Sequence, residues 1–254
     1  MVRLTVGLPL YNMGQIAELA LTGLCNQKDL SFEWELLVIE EQTSNSLSRK
    51  KLMSYKNRLR SVGCTKIKYI PLKEWIPLGR KWHLLAQKSS ETSTCFLLQA
   101  GDCYPNSLRL RNTYNSFSKG CDYYDEGTGL WYSYRMDKTI LWKPNDTYTH
   151  PCMLNMAWST KLIKQLPDNN KKKNIDRFLY KTLSSNRYLT KYRNESPPLD
   201  GVDTDGYNCI SVRDGLFSTL PNKIFIETDM DALEEVPELI KYKGRTLNKR
   251  IKDK

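Results

Sequence analysis

Apolar and polar positions follow two alternating rhythms over roughly the first 120 residues. Leu4, Val6 and Leu8 fall on every second position, as in a strand, and Pro9 is expected to end it. Ile16, Leu19, Ala20 and Leu24 then recur at helical spacing, with Asn12 as the expected N-cap. Glu35–Ile39 is a continuous apolar run after its first residue, the pattern of a buried strand. Leu52, Tyr55, Leu59 and Val62 share one helical face, Lys66–Ile70 reads as a third strand, and Arg80–Lys88 as a short helix. A fourth strand, Thr94–Gln99, stops abruptly at Gly101-Asp102; Asn106 then caps a helix with Leu110, Tyr114 and Phe117 inward.

Past Gly120 the rhythm changes. Leu130–Tyr134 and Thr139–Trp142 flank Arg135–Lys138 as an antiparallel hairpin, and Met153–Trp158 is a further strand. A helix is expected over Asp176–Leu183, strands over Arg187–Tyr192 and Lys223–Glu227, and an acidic helix over Asp229–Lys241. Repeated β-α units require a parallel sheet with right-handed crossovers. The expected fold class is therefore α/β, a mostly parallel Rossmann-like sheet flanked by helices, with an antiparallel extension. Residues 1–120 form a ligand-binding half, and 121–254 a second half of the same domain ending in a basic tail.

Composition narrows the classes. No apolar run approaches the roughly 20 residues of a membrane span. The start of the chain reads as a first strand rather than a signal peptide. Seven scattered cysteines without a C-x-x-C pair fit reduced thiols in a cytoplasm, a host's if the protein is viral. The net charge is +11, and residues 46–90 hold twelve Lys/Arg against one acid, Glu74. Such a face suits a polyanionic partner: nucleotide phosphates, nucleic acid or an anionic membrane surface.

In open α/β sheets ligands bind beyond the carboxyl ends of the strands. Three such ends meet here: Pro9-Leu-Tyr-Asn12, Glu40-Glu41-Gln42 and Gln99-Ala-Gly-Asp102. With Gly79-Arg80-Lys81, Asn155-Met-Ala-Trp158 and Ile175-Asp176 in the same order, these motifs resemble the GT-A fold of family 2 glycosyltransferases. The resemblance spans about residues 4–184. It implies a nucleotide-sugar donor, a UDP sugar first, held by Pro9, Tyr11, Asn12, Glu40, Gln42, Arg80, Lys81, Gln99, Ala100 and Gly101. It also implies Mn²⁺ or Mg²⁺ on Asp102, with His150 as a further candidate ligand, and Asp176 as general base for an inverting transfer. Asp203 and Asp205 are fallback bases. Two acids of the family's L-D-A-D-D strand end are replaced, by Gln99 and Gly101. The expected acceptor is a hydroxymethylated pyrimidine in duplex DNA, as in some phages. The alternatives are a glycan or glycoprotein acceptor, a non-catalytic binding protein on a decayed scaffold, or a nucleotidyltransferase.

Overall fold

The computed structural model describes residues 1–126, 129–133, 138–142, 156–170, 175–184, 191–194, 209–213 and 225–227. The chain opens with β1 (Val2–Leu10), a 3₁₀ turn (Gly14–Ile16), α1 (Ala17–Cys25) and β2 (Glu33–Glu41). Two short helices, α2 (Arg49–Ser54) and α3 (Lys56–Ser61), lead to β3 (Cys64–Leu72). Then come α4 (Leu78–Gln87), β4 (Cys95–Leu98), β5 (Cys103–Pro105) and α5 (Arg109–Ser118). The second half supplies β6 (Tyr123–Glu126), β7 (Gly129–Ser133), β8 (Lys138–Trp142), β9 (Ala157–Ser159), α6 (Thr160–Ile163) and α7 (Ile175–Ser184). It closes with β10 (Lys191–Asn194), β11 (Cys209–Arg213) and β12 (Phe225–Glu227).

Seven strands make one sheet in the order β10-β6-β9-β4-β1-β2-β3. β4, β1, β2 and β3 are mutually parallel, and β9 runs antiparallel between β4 and β6. Apolar side chains on its two faces build two separate cores. Leu4, Val6, Leu8, Leu36 and Val38 pack with Leu24, Leu52, Leu59 and Leu110 on one face. Leu37, Ile39, Phe96, Leu98 and Trp158 pack with Trp82, Leu85 and Leu179 on the other. Helices thus cover both faces, which is why β2 reads as an unbroken apolar run.

Several elements run past their expected limits. β1 continues through Pro9, which pairs with Ile39. Gly7 O accepts from Gln99 N, the last contact with β4. The missing N–H of Pro9 points to that same side, beyond the end of β4, so no ladder bond is lost. Asn12 has φ 51° and stands in the left-handed region, so it shapes the turn rather than capping α1, which begins at Ala17.

β5 was not expected. It follows Asp102 directly and pairs antiparallel with β11, opening a second sheet of order β12-β8-β7-β11-β5. The expected hairpin is its β7–β8 pair, with Leu130 opposite Leu141. The acidic segment 229–241 and the basic tail lie outside the described residues. The cysteines described with their surroundings, Cys25, Cys64, Cys95, Cys103 and Cys121, are buried free thiols. Burial pushes Cys25 up to about 11 and Cys64 to about 12, so neither is a ready nucleophile. No helix among the described residues is long and apolar enough to cross a membrane.

Candidate active site

The carboxyl ends of β1, β2 and β4 form one edge, because the register sets Leu10 beside Glu40 and Gly7 beside Leu98. Loops leave the sheet there. The edge has an exposed layer and a buried one, and the expected site residues divide between them.

Tyr11, Asn12, Gln42 and Arg80 are exposed, and Asp102 and Ala100 are half-buried. The Tyr11 ring stands over the edge with the Lys81 ammonium 5.4 Å from its centroid, so a buried cation backs an exposed aromatic face. Asn45 Nδ2 donates to Asn12 O at 2.9 Å and ties the β1 and β2 loops together. Gln42 Nε2 donates to the Tyr69 hydroxyl at 2.8 Å. Arg80 lies 3.4 Å from Asp168, with both side chains about half exposed, so this pair holds it weakly.

The buried layer consists of acids and their partners. Glu40 is fully buried; Leu47 N donates to its Oε1 at 2.7 Å, and the Tyr69 hydroxyl to its Oε2 at 2.8 Å. That use of both oxygens folds loop 42–47 back onto the sheet. Burial, then the bond to Glu40, pushes the Tyr69 phenol up to about 12. Glu41 accepts from Lys81 Nζ and, at 3.2 Å, from Ile76 N. Lys81 also donates to Leu10 O at 2.7 Å, so one ammonium joins α4 to the ends of β1 and β2. Burial pulls Lys81 below the ordinary lysine range, against the pull of Glu41 and Glu40. Of the basic pair, then, Lys81 is built into the floor and Arg80 stands at the surface.

The turn after β4 shows why its two acids are absent. Gln99 is fully buried and its amide donates to Ala100 O at 2.8 Å and Cys103 O at 2.9 Å, which a carboxylate could not do. A Cβ on Gly101 would lie 2.5 Å from both Leu10 Cδ2 and Met13 Sδ, so a side chain there requires the Leu10 and Met13 side chains to move aside. Beneath the turn the fully buried Arg109 donates to Leu98 O at 2.9 Å.

Asp176 is the second residue of α7. Its neighbour Ile175 is buried against the start of α4, where a Cβ on Gly79 would lie 3.1 Å from Ile175 Cδ1. The start of α7 therefore abuts the turn that carries Arg80. His150, Asn155, Asp203 and Asp205 lie outside the described residues. His83 is half-buried against Leu166 O at 2.7 Å, a structural role, as its helical position implies. Sequence reasoning placed Glu41 at the edge without giving it a role, and missed Tyr69 and Arg109. Lys81, next to the apolar Trp82, Leu84 and Leu85 of its helix and after two acids ending an apolar strand, was a usable signal for the Lys81–Glu41 pair; Arg109 had none.

No family profile and no curated protein matches the chain. Solved structures do. Residues 1–349 of Staphylococcus aureus TarS in complex with UDP-GlcNAc superpose with a TM-score of 0.62 at 13% identity, over 84% of this chain and 59% of that one. The mannosyltransferase PcManGT from Pyrobaculum calidifontis, in complex with GDP-Man and Mn²⁺, gives 0.56 at 12% identity, over 78% and 58%. The fold is GT-A-like. The chain spans about three fifths of the length of both structures.

The divalent ion meets a sparse donor set at this GT-A-like edge. Among the described residues no group of three or more His, Cys, Asp or Glu side chains could hold a metal. Glu40 and Glu41 are engaged in the floor, and Asp102, whose Oδ1 accepts from Cys103 Sγ at 3.4 Å, is the carboxylate that the resemblance assigns to the ion. A hard divalent ion takes six or more oxygens, several of them from water and phosphates. The residues fit such an ion only as a partner of a bound diphosphate.

Proposed function

We propose that the protein transfers a sugar from a nucleotide diphosphate sugar, a UDP sugar first, to an acceptor hydroxyl. The two-layered edge carries this reading: a fixed floor of Glu40, Glu41, Lys81 and Gln99 under exposed Tyr11, Asn12, Gln42 and Arg80 and half-buried Asp102. The structural neighbours, solved with UDP-GlcNAc and with GDP-Man and Mn²⁺, support the same donor class. Tyr11 offers a flat apolar face to the base, and Gln42 an amide to its polar edge. Arg80 faces the diphosphate, and Asp102 the divalent ion. When bound, that ion draws negative charge from the departing diphosphate.

Asp176 accepts the proton of the acceptor hydroxyl as its oxygen attacks the anomeric carbon. The bond from that carbon to the diphosphate breaks, its electron pair leaves on the diphosphate, and the configuration inverts. The acceptor we propose is a hydroxymethylated pyrimidine in duplex DNA, motivated by the net charge of +11. The modified base must leave the stack to reach such an edge.

Asp176→Asn is expected to lower transfer by about 10²–10⁴-fold while leaving donor affinity unchanged. Transfer of labelled sugar to hydroxymethylated duplex DNA, alongside donor titration, measures both. Wild-type turnover by the variant removes Asp176 from the mechanism. Asp102→Asn is expected to abolish the extra thermal stabilisation that Mn²⁺ adds to a UDP sugar. A ligand at 100 times its Kd contributes about 2.7 kcal/mol, a readily measured shift. A Mn²⁺ effect that survives the substitution moves the metal elsewhere.

A further inference from the structure

Residues 49–60 hold six lysines and arginines and no acid. They form α2 and α3, whose Leu52, Tyr55 and Leu59 are buried, so the charged positions turn outward. Arg49, Lys50, Lys51, Arg58 and Arg60 are exposed. Of these, Lys51 has an acid partner among the described residues, Glu18 at 2.9 Å. Ordinary protein surfaces mix both signs.

Local stability opposes part of this arrangement. Arg49 and Lys50 open α2, where the helix dipole favours anions. Lys56 and Arg60 are four residues apart on α3 and repel each other. The neighbouring β3 needs no such account. Its Lys66 pairs with Glu35 at 3.1 Å, and Lys68 guards the open edge of the sheet. The helices carry more charge than their own contacts use: Lys51 pairs with Glu18, Arg58 lies 5.7 Å over the Tyr55 ring and Arg58 and Arg60 fall in the last turn of α3, whereas Arg49, Lys50 and Lys56 make no ion pair among the described residues.

Their position supplies a reason. The chain passes from Glu41 through residues 42–48 straight into α2, so the charged flank begins at the candidate active edge. β3 stands three strand spacings from β4, roughly 14 Å at about 4.8 Å each. A bound polymer on this flank would therefore lie beside the strand ends. Its apolar residues Leu52, Tyr55 and Leu59 point inward, leaving none to insert into a bilayer, which argues against a membrane as the partner.

We infer that the outer surface of α2 and α3 docks the phosphate backbone of duplex DNA and holds it beside the candidate active edge. The inference rests on the proposed glycosyl transfer to DNA, and binding can be tested apart from transfer. Fluorescence anisotropy with a labelled duplex across 50–200 mM salt gives the slope of log K against log salt, which falls by about 0.9 per phosphate contact. The variant Lys50→Gln/Arg58→Gln/Arg60→Gln is expected to make that slope shallower by about 2.7. Arg3→Gln/Lys161→Gln, exposed cations elsewhere, is expected to leave it unchanged. All five side chains are exposed, so the thermal midpoints of the two variants should be alike, which confirms folding.

Equal slopes for the two variants overturn the inference, as does a wild-type chain that binds anionic vesicles but not duplex DNA. UDP-sugar hydrolysis measured on the same samples separates the two readings. Loss of slope without any hydrolysis upholds docking and removes the transfer reading. Hydrolysis with no change of slope upholds transfer and removes docking.

Discussion

Strand β2 buries acids at both ends, and the two ends are built differently. At its start Glu35 is fully buried and accepts from Thr5 Oγ1 at 2.8 Å and from Ser90 N. Thr5 Oγ1 also lies 2.9 Å from Ser93 Oγ, so short hydroxyl side chains fill the space around the acid. Its cationic partner among the described residues, Lys66, is half exposed. At the far end Glu40 and Glu41 engage a phenol, two loop N–H groups and an ammonium as buried as they are. The first arrangement seals the sheet. The second pins three loops by their inner atoms and leaves Tyr11, Gln42 and Arg80 facing out. Burial of an acid is thus not in itself a sign of function. What it anchors decides.

The comparison predicts unequal costs. Glu41→Gln leaves the Lys81 ammonium buried without its counter-charge, and loss of one partner of such a pair costs about 3–5 kcal/mol. Adding Lys81→Met should restore most of that loss, since removal of both charges is often neutral. Glu35→Gln keeps an acceptor for Thr5 and Ser90 and gives up a pair with a half-exposed lysine, worth about 1 kcal/mol or less. Urea unfolding of the three variants measures the difference. Similar losses at Glu35 and Glu41 would erase the distinction between a sealing and a framing acid.

The fold was legible where burial sets the pattern. β2 and β4, covered on both faces, read as apolar runs, and their order predicted the parallel sheet. Asn12 misled because its turn depends on Asn45, 33 residues away, and no local rule contains that bond. β5 was hidden because three residues carry no periodicity; its partner β11 comes more than a hundred residues later. At the site, sequence motifs located the edge but not its depth. Pro9-Leu-Tyr-Asn12 and Glu40-Glu41-Gln42 name neighbours along the chain. Only the packing of α4 shows that Lys81 goes under the edge while Arg80 stays above it.

Tyr69 offers a finer probe of the framing end. Its phenol donates to Glu40 and accepts from Gln42, linking the buried layer to the exposed one. In the folded chain it holds its proton to about 12, whereas an unfolded tyrosine releases it near 10. Between those values the unfolded state binds fewer protons, so this group's contribution to stability is intact below pH 10 and falls as pH rises through 12. Tyr69→Phe removes the titration. Stability of the wild-type chain should therefore decline more steeply than that of the variant between pH 10 and 12, although the variant starts lower. Lysines titrate in the same window, but they are common to both proteins and cancel in the difference. Parallel declines would mean that Glu40 holds loop 42–47 through Leu47 N alone, and that Gln42 is not coupled to the buried acid.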